Sequence, residues 1–172
     1  MKRLLVIVDM QNDFITGALA NTEGQKIVTR IADYARNFDG DIVATRDTHQ
    51  NDYMNTQEGK KLPVPHCIEG TNGWNIVPEI QTVLDTRKDV EYVNKPTFGS
   101  TRLGAIVDIQ NYDEIELCGV CTDICVISNA MLIKAFNLKA EVTVLKDLCA
   151  GVTPESHETA LKAMTACQIT VA

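Results

Sequence analysis

Nowhere does the 172-residue chain approach the roughly 18 consecutive apolar residues that a membrane-spanning helix needs. Its opening, MKRLLVIVDM, starts like a secretory leader, but the apolar run is five residues long and stops at Asp9, too short for the hydrophobic region of an export signal. Positive charge is also in short supply. Sixteen Lys and Arg face 23 Asp and Glu, a net charge of -7, which argues against nucleic acid and against an anionic membrane surface as partners. It leaves room for a local cationic group in a pocket. Repeats, low-complexity tracts and linkers are missing too, so residues 1–172 are expected to form one domain. No second C-x-x-C pair exists to complete a four-ligand structural zinc site. With no export signal, the six cysteines are expected to be reduced thiols in a cytoplasm.

What the chain does have is alternation. Apolar, β-branched runs at Leu4–Val8, Ile42–Ala44, Val90–Val93, Ile115–Cys118, Val142–Leu145 and Ile169–Val171 read as strands covered on both faces. Helical stretches lie between them at about Gln25–Asn37, Pro78–Leu84, Arg102–Ile109, Asp123–Phe136 and Pro154–Ala166. Thr153 is the expected cap of the last, with Pro154 in its first position. Strand alternating with helix predicts a three-layer α/β/α fold around a six-stranded, mainly parallel sheet. The long irregular stretch Thr48–Asn75 is expected to be functional or disordered.

Ligands of open α/β sheets bind beyond the carboxyl ends of the strands. Strand 1 is followed by Asp9, strand 2 by Asp47 and His49, strand 3 by Lys95, and strand 4 by CGVCTDIC, which holds Cys118, Cys121 and Cys125. Thr122 and Asp123 are good helix starters, so Cys125 is expected in a first helical turn, where the helix dipole and a nearby Lys95 would favour its thiolate. Asp9 could take its proton, making an acid, an amine and a thiol into an activated nucleophile. Each residue has a plainer reading: Asp9 as a turn former, Lys95 as a solvated lysine, Cys125 as a packed thiol. Cys118 reads as a buried small hydrophobe, and the Cys118/Cys121 pair as a less favoured redox motif.

Asp47 and His49 are two apart, so an extended chain points both side chains the same way. Glu58 and His66 follow in the long stretch. Two imidazoles with one or two carboxylates suit zinc, iron(II) or manganese(II), while the plainer reading is a polar loop. His157 reads as part of a solvated helix face.

Together these residues resemble the isochorismatase-like cysteine hydrolases, and within them the nicotinamidase/pyrazinamidase branch, over nearly the whole chain. VDMQNDF is similar to the family's first block, DTH and VPH to the metal block, NKPTFGST to the lysine block, and GVCTDICV to its G-V-x-T-D-x-C-V block. The resemblance implies Asp9, Lys95 and Cys125 as the catalytic set and Phe14 as a substrate-lining ring. It implies one divalent metal ion, zinc before iron or manganese, on Asp47, His49 and His66, with Glu58 at a fourth position. It also implies a cis Val120–Cys121 peptide, with the backbone N–H groups of Cys121 and Cys125 facing the oxyanion. The activity implied is hydrolysis of a small amide, nicotinamide to nicotinate plus ammonia through a thioester, by a homo-oligomer. The alternatives are another small amide or ureido or carbamoyl compound on the same fold, or a ligand-binding or thiol-sensing protein. Relatives carry an aromatic residue three positions before the last histidine of the metal block. Pro63 stands there instead, which leaves Tyr53 or Trp74 as candidates to clamp the ring.

Overall fold

The computed structural model describes residues 1–172. Its strands grow from the apolar runs: β1 (Arg3–Val8), β2 (Asp41–Asp47), β3 (Val90–Lys95), β4 (Glu114–Val120), β5 (Glu141–Ala150) and β6 (Thr170–Val171). They form one sheet in the order β3-β2-β1-β4-β5-β6. Every pairing is parallel, so the expected sheet is present and has no antiparallel member.

The helices are α1 (Asn12–Ile15), α2 (Thr22–Asn37), α3 (Gln57–Lys61), α4 (Pro78–Asp85), α5 (Thr101–Gln110), α6 (Ile127–Phe136) and α7 (Pro154–Ala166). Successive β1 side chains alternate between two buried faces, which is why its sequence is apolar without interruption. Leu4, Val6 and Val8 pack with Leu103 and Val107 of α5, Ala130 and Ile133 of α6, and Leu161 and Met164 of α7. Leu5 and Ile7 pack with Ile27, Ile31 and Ala35 of α2 and with Ile80, Val83 and Leu84 of α4. The two clusters hold 21 and 20 buried residues, so neither face dominates and the fold is a true three-layer sandwich.

Local chemistry sets the helix ends. Asn21 Oδ1 accepts from the N–H groups of Glu23 and Gly24 at 2.9 and 3.0 Å, starting α2 at Thr22 rather than at the expected Gln25. Thr153 and Ser156 cap α7 reciprocally, and that helix has the bounds its sequence predicts. The expected helix from Asp123 to Phe136 is divided. Residues Thr122–Val126 form a wide π-type turn in which Val126 N–H donates to Cys121 O at 3.1 Å, and regular α6 begins only at Ile127. Asp123 does not cap it, because its carboxylate accepts instead from Val152 N–H at 3.0 Å.

The stretch Thr48–Asn75 is ordered by its own turns. It contains a 3₁₀ turn at Tyr53–Asn55 and α3, whose cap Thr56 accepts from Gly59 N–H at 3.0 Å. Single bridges from His49 to Ile68 and from Gln11 to Ile76 pin it to the carboxyl end of the sheet.

The chain runs outward from β1 through β2 to β3, then returns to place β4 on the other side of β1. That reversal makes the β1/β4 boundary the topological switch point, where a crevice opens beyond the strand ends. No helix is long and apolar enough to cross a membrane.

Candidate active site

Beyond the end of β1, Asp9 adopts a left-handed backbone conformation (φ 50°), one that aspartate tolerates better than most residues. Its N–H donates to both the carbonyl and the hydroxyl of Thr45 at 3.2 Å, and Thr45 Oγ1 donates back to Asp9 Oδ1 at 2.6 Å. The other carboxylate oxygen, Oδ2, lies 2.6 Å from Lys95 Nζ as an ion pair that is not aligned as a hydrogen bond. Lys95 ends β3 directly beside Asp47, its register partner on β2, and its Nζ is 3.7 Å from Asp47 Oδ1. The same Nζ is 3.5 Å from Cys125 Sγ and donates to Thr97 O at 3.2 Å. Asp9, Lys95 and Cys125 are all buried, at 0, 1 and 6% exposure, so the three strand ends do converge and none of the three is a solvated surface group.

Burial dominates the electrostatics. It pushes the Asp9 carboxyl up, with Asp47 adding to the rise and Lys95 opposing it. Lys95 is held firmly cationic, since Asp9, Cys125 and Asp47 outweigh the burial that would lower its pKa. The Cys125 thiol is raised well above its ordinary value by burial and by Asp9, against the pull of Lys95. This corrects the sequence-based expectation of a resting thiolate. The wide turn replaces a regular first helical turn, and a carboxylate faces the sulfur. Burial and the neighbouring Asp9 therefore work against the thiolate, and Lys95 works for it.

The turn carrying Cys125 is built from β4. Gly119 sits at φ 117°, and a Cβ there would collide with the backbone of Val8 on β1. The Val120–Cys121 peptide is cis. The Cys121 N–H donates to no group of the protein. Asn129 fixes the back of the turn: its Nδ2 donates to Cys125 O at 2.8 Å and to Phe98 O at 3.2 Å, and its Oδ1 accepts from Ser100 N–H at 2.9 Å. All six cysteines are free, and Cys118 is wholly buried on β4.

The second group of side chains stands beside the first. One ligand atom from each of Asp47, His49, Glu58 and His66 fits within a span of 4.8 Å. His49 Nε2 lies 2.8 Å from Asp47 Oδ2 and 3.7 Å from Glu58 Oε1, and His66 Nε2 lies 3.4 and 3.6 Å from the same two oxygens. His66 Nδ1 is 2.8 Å from Val64 O, which fixes that nitrogen as an N–H and turns Nε2 toward the cluster. Gln11 holds Asp47 through its backbone, accepting from Asp47 N–H at 2.7 Å and donating to Asp47 O at 2.8 Å. Asp47 Oδ1 is buried with no hydrogen-bond donor. Burial opposes ionisation of Asp47, but hydrogen bonds from His49 and His66 and the charge of Lys95 hold its carboxyl well below the usual range. Glu58 is raised by burial and by Asp47. Two convergent carboxylates and two imidazoles, with one ligand atom from each within 4.8 Å of the others, are a donor set that fits a divalent ion.

Both groups face one cleft of about 1360 Å³, lined among others by Phe14, Leu19, Leu62, Phe98, Ile124 and Cys125. Phe14 packs beside the cluster, its ring centroid 5.6 Å from that of His66. The proposed clamps do not reach the cleft. Tyr53 is buried behind the imidazoles, edge-on to both, with its hydroxyl donating to Leu62 O at 2.9 Å. Trp74 donates to Thr48 Oγ1 at 2.9 Å and is covered by Arg46 at 3.9 Å. Phe98, three residues after Lys95 and 47% exposed at the mouth, is the aromatic that sequence reasoning missed. His157 is only half-exposed and reaches inward: its Nδ1 lies 2.7 Å from the hydroxyl of the wholly buried Thr122.

The chain and its fold are similar to those of known proteins. The sequence model of the family described as Isochorismatase domain matches residues 3–172. The nicotinamidase/pyrazinamidase of Mycobacterium tuberculosis is 31% identical over 179 residues, covering 94% of each chain. An uncharacterized isochorismatase family protein, PncA, of Bacillus subtilis is 31% identical over 173 residues, covering 94% of this chain and 93% of that protein. Among solved structures, the pyrazinamidase of Pyrococcus horikoshii in complex with zinc superposes with a TM-score of 0.85 at 30% identity, over 100% of this chain and 99% of that one. The chain belongs to the isochorismatase family.

Proposed function

We propose that the protein is a cysteine amidohydrolase, a single domain that converts nicotinamide to nicotinate and ammonia. The observation that carries this reading is that a buried Asp–Lys–Cys set and a Asp/His/Glu/His donor set open into one cleft, joined through Lys95 between Asp9 and Asp47. Relatives named nicotinamidase and pyrazinamidase support the substrate class.

In the proposed reaction Asp9 takes the proton of Cys125 as the sulfur attacks the amide carbon. Lys95, fixed as a cation 3.5 Å from the sulfur, offsets the negative charge that forms there. The carbonyl oxygen becomes an oxyanion against the backbone N–H groups of Cys121 and Cys125, of which the Cys121 donor is free to receive it. Asp9 returns its proton to the amide nitrogen, and the C–N bond breaks to release ammonia. Water activated by the Asp9 carboxylate then attacks the thioester, giving the carboxylate product and restoring the thiol. Phe14 offers a face for the ring, and stacking on it contributes about 1 kcal/mol.

Asp47, His49 and His66, with Glu58 as fourth donor or hydrogen-bonding neighbour, would hold the divalent ion, for which zinc is the first choice. When bound, that ion supplies a Lewis-acidic contact for an acceptor nitrogen on the substrate ring. Elemental analysis should find near-equimolar zinc, iron or manganese, and His66→Ala should lose it while keeping its fold. A metal-free protein with unchanged substrate affinity would remove the site from this account.

Substrate choice gives the test of the whole reading. Ammonia release from nicotinamide is expected to exceed that from benzamide, which has the same shape without the ring nitrogen, by at least roughly tenfold in kcat/KM. Equal rates would mean that nothing reads the ring. Turnover of a ureido acid with none of nicotinamide would leave only the cysteine amidohydrolase.

A further inference from the structure

The turn that carries the nucleophile needs support from behind, because its own hydrogen bonds are few. Helix α7 supplies part of that support. Its leading loop is tied to the turn by Val152 N–H donating to Asp123 Oδ1 at 3.0 Å, and to the start of α2 by Asn21 Nδ2 donating to Gly151 O at 2.8 Å. One side chain then crosses from α7 into the turn itself. His157 Nδ1 meets Thr122 Oγ1 at 2.7 Å, and Thr122 has no solvent exposure. Thr122 is the residue between Cys121, whose N–H is free, and the rest of the turn leading to Cys125.

We propose that His157 is a positioning residue that acts through Thr122 to hold the backbone of Cys121–Cys125 where the transition state needs it. The proposal rests on the cysteine amidohydrolase reading above. A buried hydroxyl has no water to fall back on, so its single side-chain partner fixes its rotamer and, through it, the peptide on either side. The N–H groups of that turn matter most when the carbonyl oxygen becomes negative and little when substrate first binds. Loss of the bond should therefore fall on kcat rather than on KM. Nothing in the contact touches the substrate: the cleft is lined by Cys121 and Cys125, not by Thr122 or His157.

The chemistry of the contact suggests its own control. Asparagine places a polar atom where His157 carries Nδ1, whereas alanine removes it. His157→Ala is expected to lower kcat roughly five- to tenfold, the scale of one lost hydrogen bond, with KM unchanged. His157→Asn is expected to restore kcat to within about twofold. Thr122→Val, which keeps the shape and removes the hydroxyl, should match His157→Ala, and the double variant should be no worse than either single one. If His157→Ala does not fold, Thr122→Val and His157→Asn carry the comparison. Unchanged kcat in His157→Ala, a change confined to KM, additive losses, or an asparagine as poor as alanine would each overturn the proposal. Alkylation of Cys125 by iodoacetamide, followed on its own peptide by mass spectrometry, separates this from the substrate reading. It should be slower in His157→Ala than in wild type and recover in His157→Asn, even if no amide tested is hydrolysed. Equal alkylation rates in all three proteins would count against the positioning role alone.

Discussion

Replacing Cys125 with alanine will abolish amide hydrolysis, with an expected loss of roughly 10⁴-fold or more, the scale seen when a covalent nucleophile is removed. The fold should survive, since the side chain is small and is one of 21 residues in its buried cluster. The other thiols make the comparison sharp. Cys118→Ala removes a wholly buried atom that does not line the cleft and Cys167→Ala an exposed one, and both should stay within roughly tenfold of wild type. Cys121→Ala should be tolerated as well, because its role lies in the backbone; its half-buried thiol is pushed up to about 12, first by burial. Loss of turnover in Cys121→Ala with survival in Cys125→Ala would reverse the assignment. General alkylation should label the exposed Cys167 before Cys125, since the Cys125 thiol is buried and its pKa is raised by that burial.

Lys95→Met carries the second large effect, and it strikes both stability and activity. The lysine is buried between Asp9 and Asp47, so its removal strands two carboxylates without a cation. Breaking a buried pair in this way costs about 3–5 kcal/mol, and the variant should melt correspondingly earlier at pH 7 and show no turnover. The sign of its pH dependence follows from Asp9. Burial raises that carboxyl, so the folded state binds its proton more tightly than the unfolded chain does. Stability is then retained at low pH and falls as pH rises through the raised value. Without Lys95 to oppose the rise, the variant should recover part of its deficit on mild acidification. A variant as stable as wild type at pH 7, or one whose deficit deepens on acidification, would show that the pair is not the buried cation–carboxylate contact described.

The strands and the site were legible to different depths, for physical reasons. Leu4–Val8 announces itself because both faces of the sheet are covered, which keeps that run apolar, while Ile115–Cys118 admits one charged residue, Glu116, only because Arg3 and Tyr34 partner it. Asp9, Asp47, Lys95 and Cys125 follow strand ends, and in a parallel sheet those ends lie on one rim. Their convergence could therefore be argued from order alone, while the pairing of Asp47 with Lys95 needed the register. The wide turn at Thr122–Val126 was not legible. Its local sequence suits a regular helix, and what overrides it is tertiary: Asp123 is drawn to Val152, and Thr122 to His157. The same holds for Tyr53 and Trp74, whose places are set by Leu62 and by Thr48 with Arg46, none of them sequence neighbours. Phe98 left one unread signal, its position inside the lysine block just past a strand end.

The central claim is a covalent bond between substrate and Cys125. Rapid acid quenching of wild-type protein turning over nicotinamide, followed by peptide mass spectrometry, tests it most directly. A nicotinoyl group should appear as a thioester on the Cys125 peptide, vanish as substrate is exhausted, and be absent from Cys125→Ala. Steady turnover with no acylated Cys125, or with the acyl group on Cys121, would contradict the account.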